Sequence, residues 1–192
     1  MKPNRTVTIV GGGLAGLAMA QALRFFGLRA DIYESAPQLG EIGAAINASP
    51  NANKSLILIG LGDRIAAIGT QSLGTYTRNM QTGEFLECRD QTEVLKRFTA
   101  PYYVFHRADL LGALADGLDP SSIHLGHRLV EIEERGATNL LRFANGKTVT
   151  ADTVIAADGV RSVVRRALYG DDNPSYTGQM VWRSLLLSLI HI

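Results

Sequence analysis

The chain has 192 residues, of which 46% are hydrophobic and 19% charged, which is enough apolar material for one well-buried domain. Lys and Arg total 19 and Asp and Glu total 18, a formal net charge of +1, so no excess of positive charge indicates nucleic acid or an anionic membrane as a partner. The single cysteine, Cys88, excludes an intrachain disulfide and a cysteine-based metal framework. Because the histidines are scattered as well, we predict no metal ion.

The N-terminal part of the chain predicts a strand, a helix and a second strand, a βαβ unit. Thr6 to Val10 is a β-branched apolar run typical of a buried strand. The apolar run Val7 to Val10 is too short for the core of a secretory signal. The sequence contains no run of about 20 apolar residues that could cross a membrane, so we expect a cytoplasmic protein. After Gly11 to Gly16 a helix is predicted, which Gly27 ends before a strand over Arg29 to Glu34. One face of this predicted helix carries Leu14, Ala18, Ala22 and Phe25.

The next segment predicts short helices followed by a hairpin. A glycine-rich loop, Leu39 to Ile46, leads to Ser49-Pro50, an N-cap followed by proline at the first helical position. Helical patterning continues weakly to about Ile68. Leu73 to Arg89 then predicts a hairpin that turns near Gln81 to Glu84.

The rest of the chain alternates strands with two helices. Tyr102 to His106 predicts a strand, and Arg107 to Leu118 a helix with apolar residues at helical spacing. Strands follow in a series that contains an Asn145-Gly146 hairpin turn and ends in Asp158-Gly159, after which Ser162 caps a helix to about Leu168. These strands are predicted over Leu129 to Arg135, Leu140 to Ala144, Lys147 to Thr150 and Thr153 to Ala157.

The strongest candidate site is the pattern Gly11-x-Gly13-x-x-Gly16. Alone it is a weak signal, because glycine-rich turns recur for steric reasons, but here it lies between a predicted strand and a predicted helix, as the dinucleotide fingerprint requires. Gly11 permits the tight turn, Gly13 lets a pyrophosphate approach the backbone, and Gly16 lets helix and strand pack closely. The amides near Leu14 and Ala15 then face the phosphates at the positive end of the helix dipole.

Two carboxylates follow predicted strands. Glu34 ends the second strand, where the ribose-binding carboxylate of the fingerprint belongs. Without the glycines it would be interpreted as a solvated strand end, and with them the ribose-binding role is favoured. Asp158-Gly159 ends an apolar strand, and ligands of open α/β sheets bind at such strand ends. The Asp158 carboxylate either accepts hydrogen bonds from ribose hydroxyls or belongs to an ordinary turn.

Arg107 precedes or opens a helix, a position that the helix dipole disfavours for a cation. Contact with an anion would explain it, and a solvated surface arginine is the alternative. His106 is interpreted as a packing residue. The small residues of the loop at 40–46 either let the backbone approach a flat ligand or form a flexible loop. Arg161 is interpreted as part of a solvated helix face.

Taken together, these residues resemble the class A flavoprotein monooxygenases, the FAD-dependent aromatic hydroxylases, and among them the salicylate and 3-hydroxybenzoate hydroxylases. The matching segments occur in the family's order: Gly11 to Gly16, Tyr33 to Ser35, Leu39 to Ala44, Ser49 to Ala52, His106 to Leu111, Ala157 to Ser162, Tyr176 to Gln179 and Trp182-Arg183.

The resemblance implies an α/β fold, Rossmann-like and FAD/NAD(P)-binding, with a parallel sheet plus antiparallel β insertions. It implies FAD rather than NAD at the glycine loop, with Glu34 on the adenosine ribose, Arg107 against FAD and the backbone of Val130 beside the adenosine. It assigns no catalytic residue. The residues that it implies for cofactor binding are Gly11, Gly13, Leu14, Ala15, Gly16, Glu34, Ser35, Gly43, Ala44, Arg107, Val130, Asp158 and Gly159.

The activity implied is hydroxylation of a phenolic or aromatic acid with NAD(P)H and O2, for which FAD carries the redox chemistry while the protein positions the substrate and excludes water. Two alternatives remain: another FAD-dependent oxidoreductase of the same fold, such as an isoprenoid reductase or epoxidase, and a dinucleotide-binding module without catalysis. The substrate, the choice of NADH or NADPH and the oligomeric state stay open.

Residues 1–183 are interpreted as the N-terminal part of the FAD-binding domain, including the first strands of the substrate domain, and residues 184–192 as a tail. The family continues beyond the position of Trp182-Arg183 with a substrate-covering sheet, a second Gly-Asp motif and a helical tail, none of which this sequence contains. We therefore expect an N-terminal fragment without activity of its own. Leu185 to Ile192 does not resemble that continuation, and it is either foreign sequence or a plain strand.

Overall fold

The computed structural model describes residues 7–40, 45–170 and 174–180. These residues form two compact units, of which the first contains residues 7–40, 114–170 and 174–180 and the second residues 45–113. The boundary predicted between residues 183 and 184 lies outside the described residues. Within the described part of the chain, no helix is long and apolar enough to span a membrane.

Short strands and helices alternate along the described chain. The strands are β1 (Val7–Val10), β2 (Ala30–Tyr33), β3 (Ala45–Ala48), β4 (Thr70–Gln71), β5 (Gly74–Arg78), β6 (Phe85–Asp90), β7 (Tyr103–His106), β8 (Ile123–His124), β9 (Leu129–Arg135), β10 (Thr138–Phe143), β11 (Thr148–Ala151) and β12 (Thr153–Ala156). The helices are α1 (Leu14–Phe25), α2 (Pro50–Leu58), α3 (Gly62–Ile68), α4 (Gln91–Phe98), α5 (Arg107–Ala115) and α6 (Val163–Tyr169), with a 3₁₀ turn at Pro120–Ser122.

A parallel sheet in the order β12-β1-β2-β8 forms the centre of the first unit. Every neighbouring pair in it is parallel, and Ile9 and Ile32 on adjacent strands are fully buried. Val10 lies opposite Tyr33 on one side and Ala156 on the other, so three strands end at the same edge. The predicted α/β fold with a parallel sheet is confirmed.

Helix α1 is present as predicted, but its buried residues are not the four that the sequence analysis placed on one face. The structure buries Gly16, Leu17, Ala20 and Gln21, whereas Phe25 is 53% exposed. The buried Gln21 donates from Nε2 to the carbonyl oxygens of Leu114 at 2.7 Å and Asp116 at 2.8 Å. A buried amide is tolerated when it is hydrogen-bonded, and a search for apolar periodicity passes over such a residue.

An antiparallel sheet in the order β11-β10-β9 completes the first unit. The predicted Asn145-Gly146 turn joins β10 to β11, with the Gly146 amide donating to the Phe143 carbonyl at 2.9 Å. The inner side chains of this sheet pack with residues from β1, β2 and α6 in one hydrophobic core. Its buried members are Val10, Tyr33, Leu129, Leu141, Phe143, Ala151 and Val164.

The second unit contains an antiparallel sheet in the order β3-β7-β4 and the hairpin β5-β6. The hairpin and the Pro50 start of α2 are as predicted. Helix α4 was not predicted, although its N-terminus carries a readable signal: Asp90 caps it by accepting from the Thr92 amide at 2.7 Å. Glu93 stands three residues after that cap, a spacing typical of helix starts.

Candidate functional site

The chain turns sharply where β1 ends. Gly11 has φ +105°, a backbone conformation that favours glycine. Its amide donates to the Tyr33 carbonyl at 2.8 Å, and the Ala157 amide donates to the Val10 carbonyl at 2.8 Å. A Cβ atom on Gly11 would collide with the backbone oxygen of Ala157. The predicted tight turn therefore exists, and only glycine fits it.

The other two glycines of the pattern have opposite surroundings. A Cβ atom on Gly16 would collide with the Gly11 carbonyl oxygen and lie 3.3 Å from Cγ2 of Ile9, which is the predicted close packing of helix on strand. A Cβ atom on Gly13 would meet no atom of the described residues within 4 Å. Within that part of the chain, open space therefore lies in front of Gly13, as the approach of a ligand to the backbone requires.

The N-terminus of α1 presents free amides toward this loop. Gly13 is the N-cap, no side chain caps the helix, and its first turn carries no acidic residue. The first helical hydrogen bond runs from the Leu17 amide to the Gly13 carbonyl at 3.0 Å, so the amides of Leu14 and Ala15 have no intrahelical acceptor. Free amides and the positive end of the helix dipole together suit an anionic ligand.

The Glu34 carboxylate is held beside the glycine loop. Its Oε2 accepts from the Gly12 amide at 2.5 Å, while its Oε1 accepts from the Ala36 amide at 2.7 Å and the Ser35 hydroxyl at 2.9 Å. Because an ionised carboxylate has about four acceptor positions, capacity for a further donor remains. Glu34 is thus a fixed, half-buried acceptor.

Tyr33, the residue before Glu34, belongs to a cluster of rings that the sequence reasoning missed. Tyr33 stacks on His124 at 4.5 Å and on Phe143 at 4.9 Å between ring centroids, and His124 Nε2 lies 3.0 Å from an Asp31 carboxylate oxygen. Burial raises the pKa of the Tyr33 phenol, and the Asp31 charge acts in the same direction, so the phenol stays protonated at neutral pH. The Glu34 amide donates to the His124 carbonyl at 2.9 Å.

The Asp158 carboxylate is occupied by the helix that follows it. Its Oδ1 accepts from the Ser162 hydroxyl at 2.5 Å, and its Oδ2 from the Val163 amide at 2.7 Å. Gly159 has φ +79°, so the dipeptide forms a turn that leads directly into α6. Of the two interpretations of Asp158, the structure shows the turn with a helix cap, and a ligand role for Asp158 and Gly159 stays a prediction.

Replacing Asp158 by alanine is expected to lower the free energy of unfolding by about 1–2 kcal/mol, because the first amides of α6 lose their acceptor. Urea unfolding followed by circular dichroism measures the effect. The matched control is Asp119→Ala, which removes an exposed cap whose carboxylate accepts from the Ser121 amide at 2.9 Å, and we expect a smaller loss from it. Equal stability of Asp158→Ala and the parent would show that the cap is dispensable.

The other residues predicted to bind the cofactor lie away from the glycine loop in the chain or outside the described residues. Arg107 begins α5 in the second unit, as predicted, and the neighbouring His106 is 38% exposed and lies 3.6 Å from an Asp109 carboxylate oxygen, so its ring is not enclosed in a core. Val130 is skipped by the register between β9 and β10, as in a β-bulge, and is 51% exposed. The loop residues Gly43 and Ala44 lie outside the described residues.

Comparison with curated proteins gives relatives over almost the whole chain. The 3-amino-4-hydroxybenzoate 2-monooxygenase of Streptomyces cremeus is 40% identical over 183 residues, which are 94% of this chain and 46% of the relative. The 6-hydroxynicotinate 3-monooxygenase of Pseudomonas fluorescens is 34% identical over 186 residues, 96% of this chain and 48% of the relative. The chain therefore spans about half the length of the curated relatives it matches.

Solved structures share the fold. HpxO of Klebsiella pneumoniae, crystallised with FAD and uric acid, has a TM-score of 0.77 and 28% identity over 87% of this chain and 42% of that one. The 2,6-dihydroxypyridine-3-hydroxylase of Arthrobacter nicotinovorans has a TM-score of 0.75 and 28% identity, and the match covers 91% of this chain and 42% of that one. A protein family described as FAD binding domain matches residues 4–186. The chain therefore belongs to the FAD-binding domain family of the flavoprotein monooxygenases, which confirms the resemblance found in its sequence.

Proposed function

We propose that the protein is an FAD-dependent monooxygenase that hydroxylates a phenolic or aromatic acid with NAD(P)H and O2. The observation that carries the proposal is the uncapped amide end of α1 behind the open face of Gly13. Two relatives at 40% and 34% identity are named for reactions on an aminohydroxybenzoate and a hydroxynicotinate, both of which are aromatic acids. Their names favour a monooxygenase over a reductase, an epoxidase or a module without catalysis.

The residues of the first unit fit FAD. A diphosphate at the start of α1 would accept from the amides of Leu14 and Ala15, and no acidic residue in the first helical turn would repel it. The remaining acceptor capacity of Glu34 suits ribose hydroxyls, and its bond to the Gly12 amide ties the ribose position to the phosphate loop. When bound, FAD supplies the redox chemistry.

The other cofactor contacts that the resemblance implies belong to this proposal. They are the side chain of Arg107, the backbone of Val130, the turn at Asp158-Gly159 and the loop residues Gly43 and Ala44. We also propose that NAD(P)H and O2 are co-substrates and that the protein resides in the cytoplasm. The reaction is tested by incubating the whole protein with FAD, NADH or NADPH and a series of hydroxybenzoates, and by measuring hydroxylated products. Flavin binding without such products would favour a non-catalytic module.

Replacing Gly13 by serine is expected to weaken FAD binding on the order of 100-fold, because the loss of about two charged amide–phosphate hydrogen bonds is worth that much. The new side chain would fill the open space before the loop, and its hydroxyl would compete with the phosphate for the helix amides. The fold should persist, since serine is a better N-cap than glycine. Quenching of FAD fluorescence measures the affinity.

The matched control for that experiment is Gly112→Ser in α5, where a Cβ atom also meets nothing within 4 Å. We expect this control to bind FAD like the parent. Unchanged FAD affinity in a folded Gly13→Ser protein would show that the diphosphate does not lie at this loop.

A further inference from the structure

The backbone of Glu34 is held by a segment from far along the chain, residues 124–127. The Glu34 amide donates to the His124 carbonyl at 2.9 Å, and the Glu34 carbonyl accepts from the His127 amide at 2.7 Å. All of these residues belong to the first unit. Because both backbone polar groups of Glu34 bond to this segment, its conformation determines where the Glu34 side chain starts.

A tight turn shapes that segment, and the side chain of His127 closes it. Gly126 stands in the middle of the turn with φ +68°, and its amide donates to the Ala36 carbonyl at 2.9 Å. The His127 Nδ1 atom lies 2.7 Å from the carbonyl oxygen of Leu125, two residues earlier. A carbonyl oxygen can only accept, so Nδ1 carries the proton and donates it. The imidazole thus does for this turn what a backbone amide does in an ordinary turn.

The ring of His127 is fixed by that hydrogen bond and by packing. Its Nε2 atom is buried and has no hydrogen-bond partner among the described residues. The ring meets the ring of Tyr33 edge-on at 5.4 Å between centroids, and the ring of Phe143 in the same way at 5.4 Å. Because Tyr33 directly precedes Glu34, the ring and the amide of His127 hold two successive residues of the chain.

A fixed start of the side chain matters because the Glu34 carboxylate makes directional contacts. Its Oε2 accepts from the Gly12 amide at 2.5 Å, and the acceptor capacity that remains suits ribose hydroxyls. Such hydrogen bonds depend steeply on distance and angle, so binding groups must be held within about 0.5 Å by residues that are themselves locked in place. A change in the turn at 125–127 would therefore reach the ribose through the backbone of Glu34.

We propose that His127 is a positioning residue for FAD, which holds Glu34 where its carboxylate meets the adenosine ribose. The inference rests on the proposed function, because it needs FAD at the glycine loop. Nδ1 closes the turn, the turn sets the His127 amide against the Glu34 carbonyl, and the Glu34 carboxylate binds the ribose. Loss of the Nδ1 donor should consequently lower FAD affinity only while the Glu34 carboxylate is present.

The test is a double-mutant cycle of FAD affinity, measured by quenching of FAD fluorescence. His127→Phe keeps a ring and loses the Nδ1 donor, and we expect it to weaken FAD binding about fivefold, the worth of one hydrogen bond. The same change in a Glu34→Ala protein should have no further effect. His127→Asn should recover most of the affinity, since its Nδ2 stands at the position of Nδ1 and can donate to the same carbonyl.

Phe143→Leu is the matched control for a loss of packing. Phe143 packs on the same rings, those of Tyr33 and His127, but its side chain carries no donor. We expect this control to unfold at lower urea concentration and to bind FAD like the parent. Gly126→Ala is a second variant in case His127→Phe does not fold. Its positive φ disfavours alanine, while a Cβ atom there meets no described atom within 4 Å, so the turn is strained without a clash and FAD binding should weaken.

Hydrogen exchange of the flavin-free protein reports on the turn without the cofactor, and the amides of Glu34 and His127 should exchange faster in His127→Phe than in the parent. Parental FAD affinity in folded His127→Phe and Gly126→Ala proteins would overturn the inference and leave the proposed function standing. The same holds for an equal loss from His127→Phe with and without the Glu34 carboxylate, or for a loss in His127→Asn as large as in His127→Phe. A parent protein that binds no FAD would overturn both.

Discussion

Replacing Gly16 by alanine is expected to lower the free energy of unfolding by about 2–3 kcal/mol, a typical cost of forcing an atom into a packed site. The new Cβ would collide with the Gly11 carbonyl oxygen, and a backbone oxygen cannot move aside as the end of a flexible side chain can. Alanine is favoured over glycine inside a helix by about 1 kcal/mol. Any loss of stability must therefore come from the contact and not from the helix itself.

Urea unfolding at constant m-value measures this change. Gly112→Ala is the matched control, because Gly112 lies inside α5 with open space at its Cβ position. We expect that control to gain up to about 1 kcal/mol. A Gly16→Ala protein as stable as the parent would show that α1 and β1 can separate without cost, and the close approach of helix to strand would not explain the glycine.

Replacing Glu34 by alanine is expected to weaken FAD binding about 10- to 100-fold, since hydrogen bonds from ribose hydroxyls to a charged acceptor are worth roughly 1.5–3 kcal/mol. The variant also removes the acceptor of the Gly12 amide, so the phosphate loop loses a constraint at the same time. The affinity is measured by quenching of FAD fluorescence, and the fold is checked by circular dichroism.

Two further variants separate the causes of this effect. Glu34→Gln keeps one oxygen that can accept from Gly12, and we expect an intermediate affinity. Glu133→Ala removes a carboxylate of β9 that is paired with Arg135 and should leave FAD binding unchanged. Parental FAD affinity in a folded Glu34→Ala protein would leave Glu34 with a purely structural role in the loop.

Many of the strands, helices and turns of this fold could be predicted from local signals in the sequence. The β-branched run that ends at Val10, the glycines after it and the Asn145-Gly146 turn each act on their own neighbours, through backbone freedom and side-chain alternation. For elements that depend on such signals, the predicted bounds lie within a few residues of the bounds in the structure. Helix α4 was missed, although Asp90 and Glu93 mark its start, because its eight residues make only about two turns, too few for a clear apolar period.

The candidate site also contains features that local sequence predicts and features that it does not. By itself the sequence determined that a glycine turn joins a buried strand to a helix, that Glu34 ends the next strand, and that Arg107 opens α5. Those features depend on residues adjacent in the chain. Their assignment to FAD came from the ordered set of motifs and the family match, since spacing alone suits several dinucleotides.

Only the tertiary structure decided which hydrogen-bond partners the buried polar groups have. Gln21 is buried because carbonyls more than ninety residues away accept from it, and His124, from a strand far along the chain, holds the backbone of Glu34. A cavity of about 370 Å³ in the second unit likewise needs residues of α2, β6 and α4 together. Hydrogen bonds and packing depend on distances of a few ångströms between segments, and the order of residues in a sequence does not contain those distances.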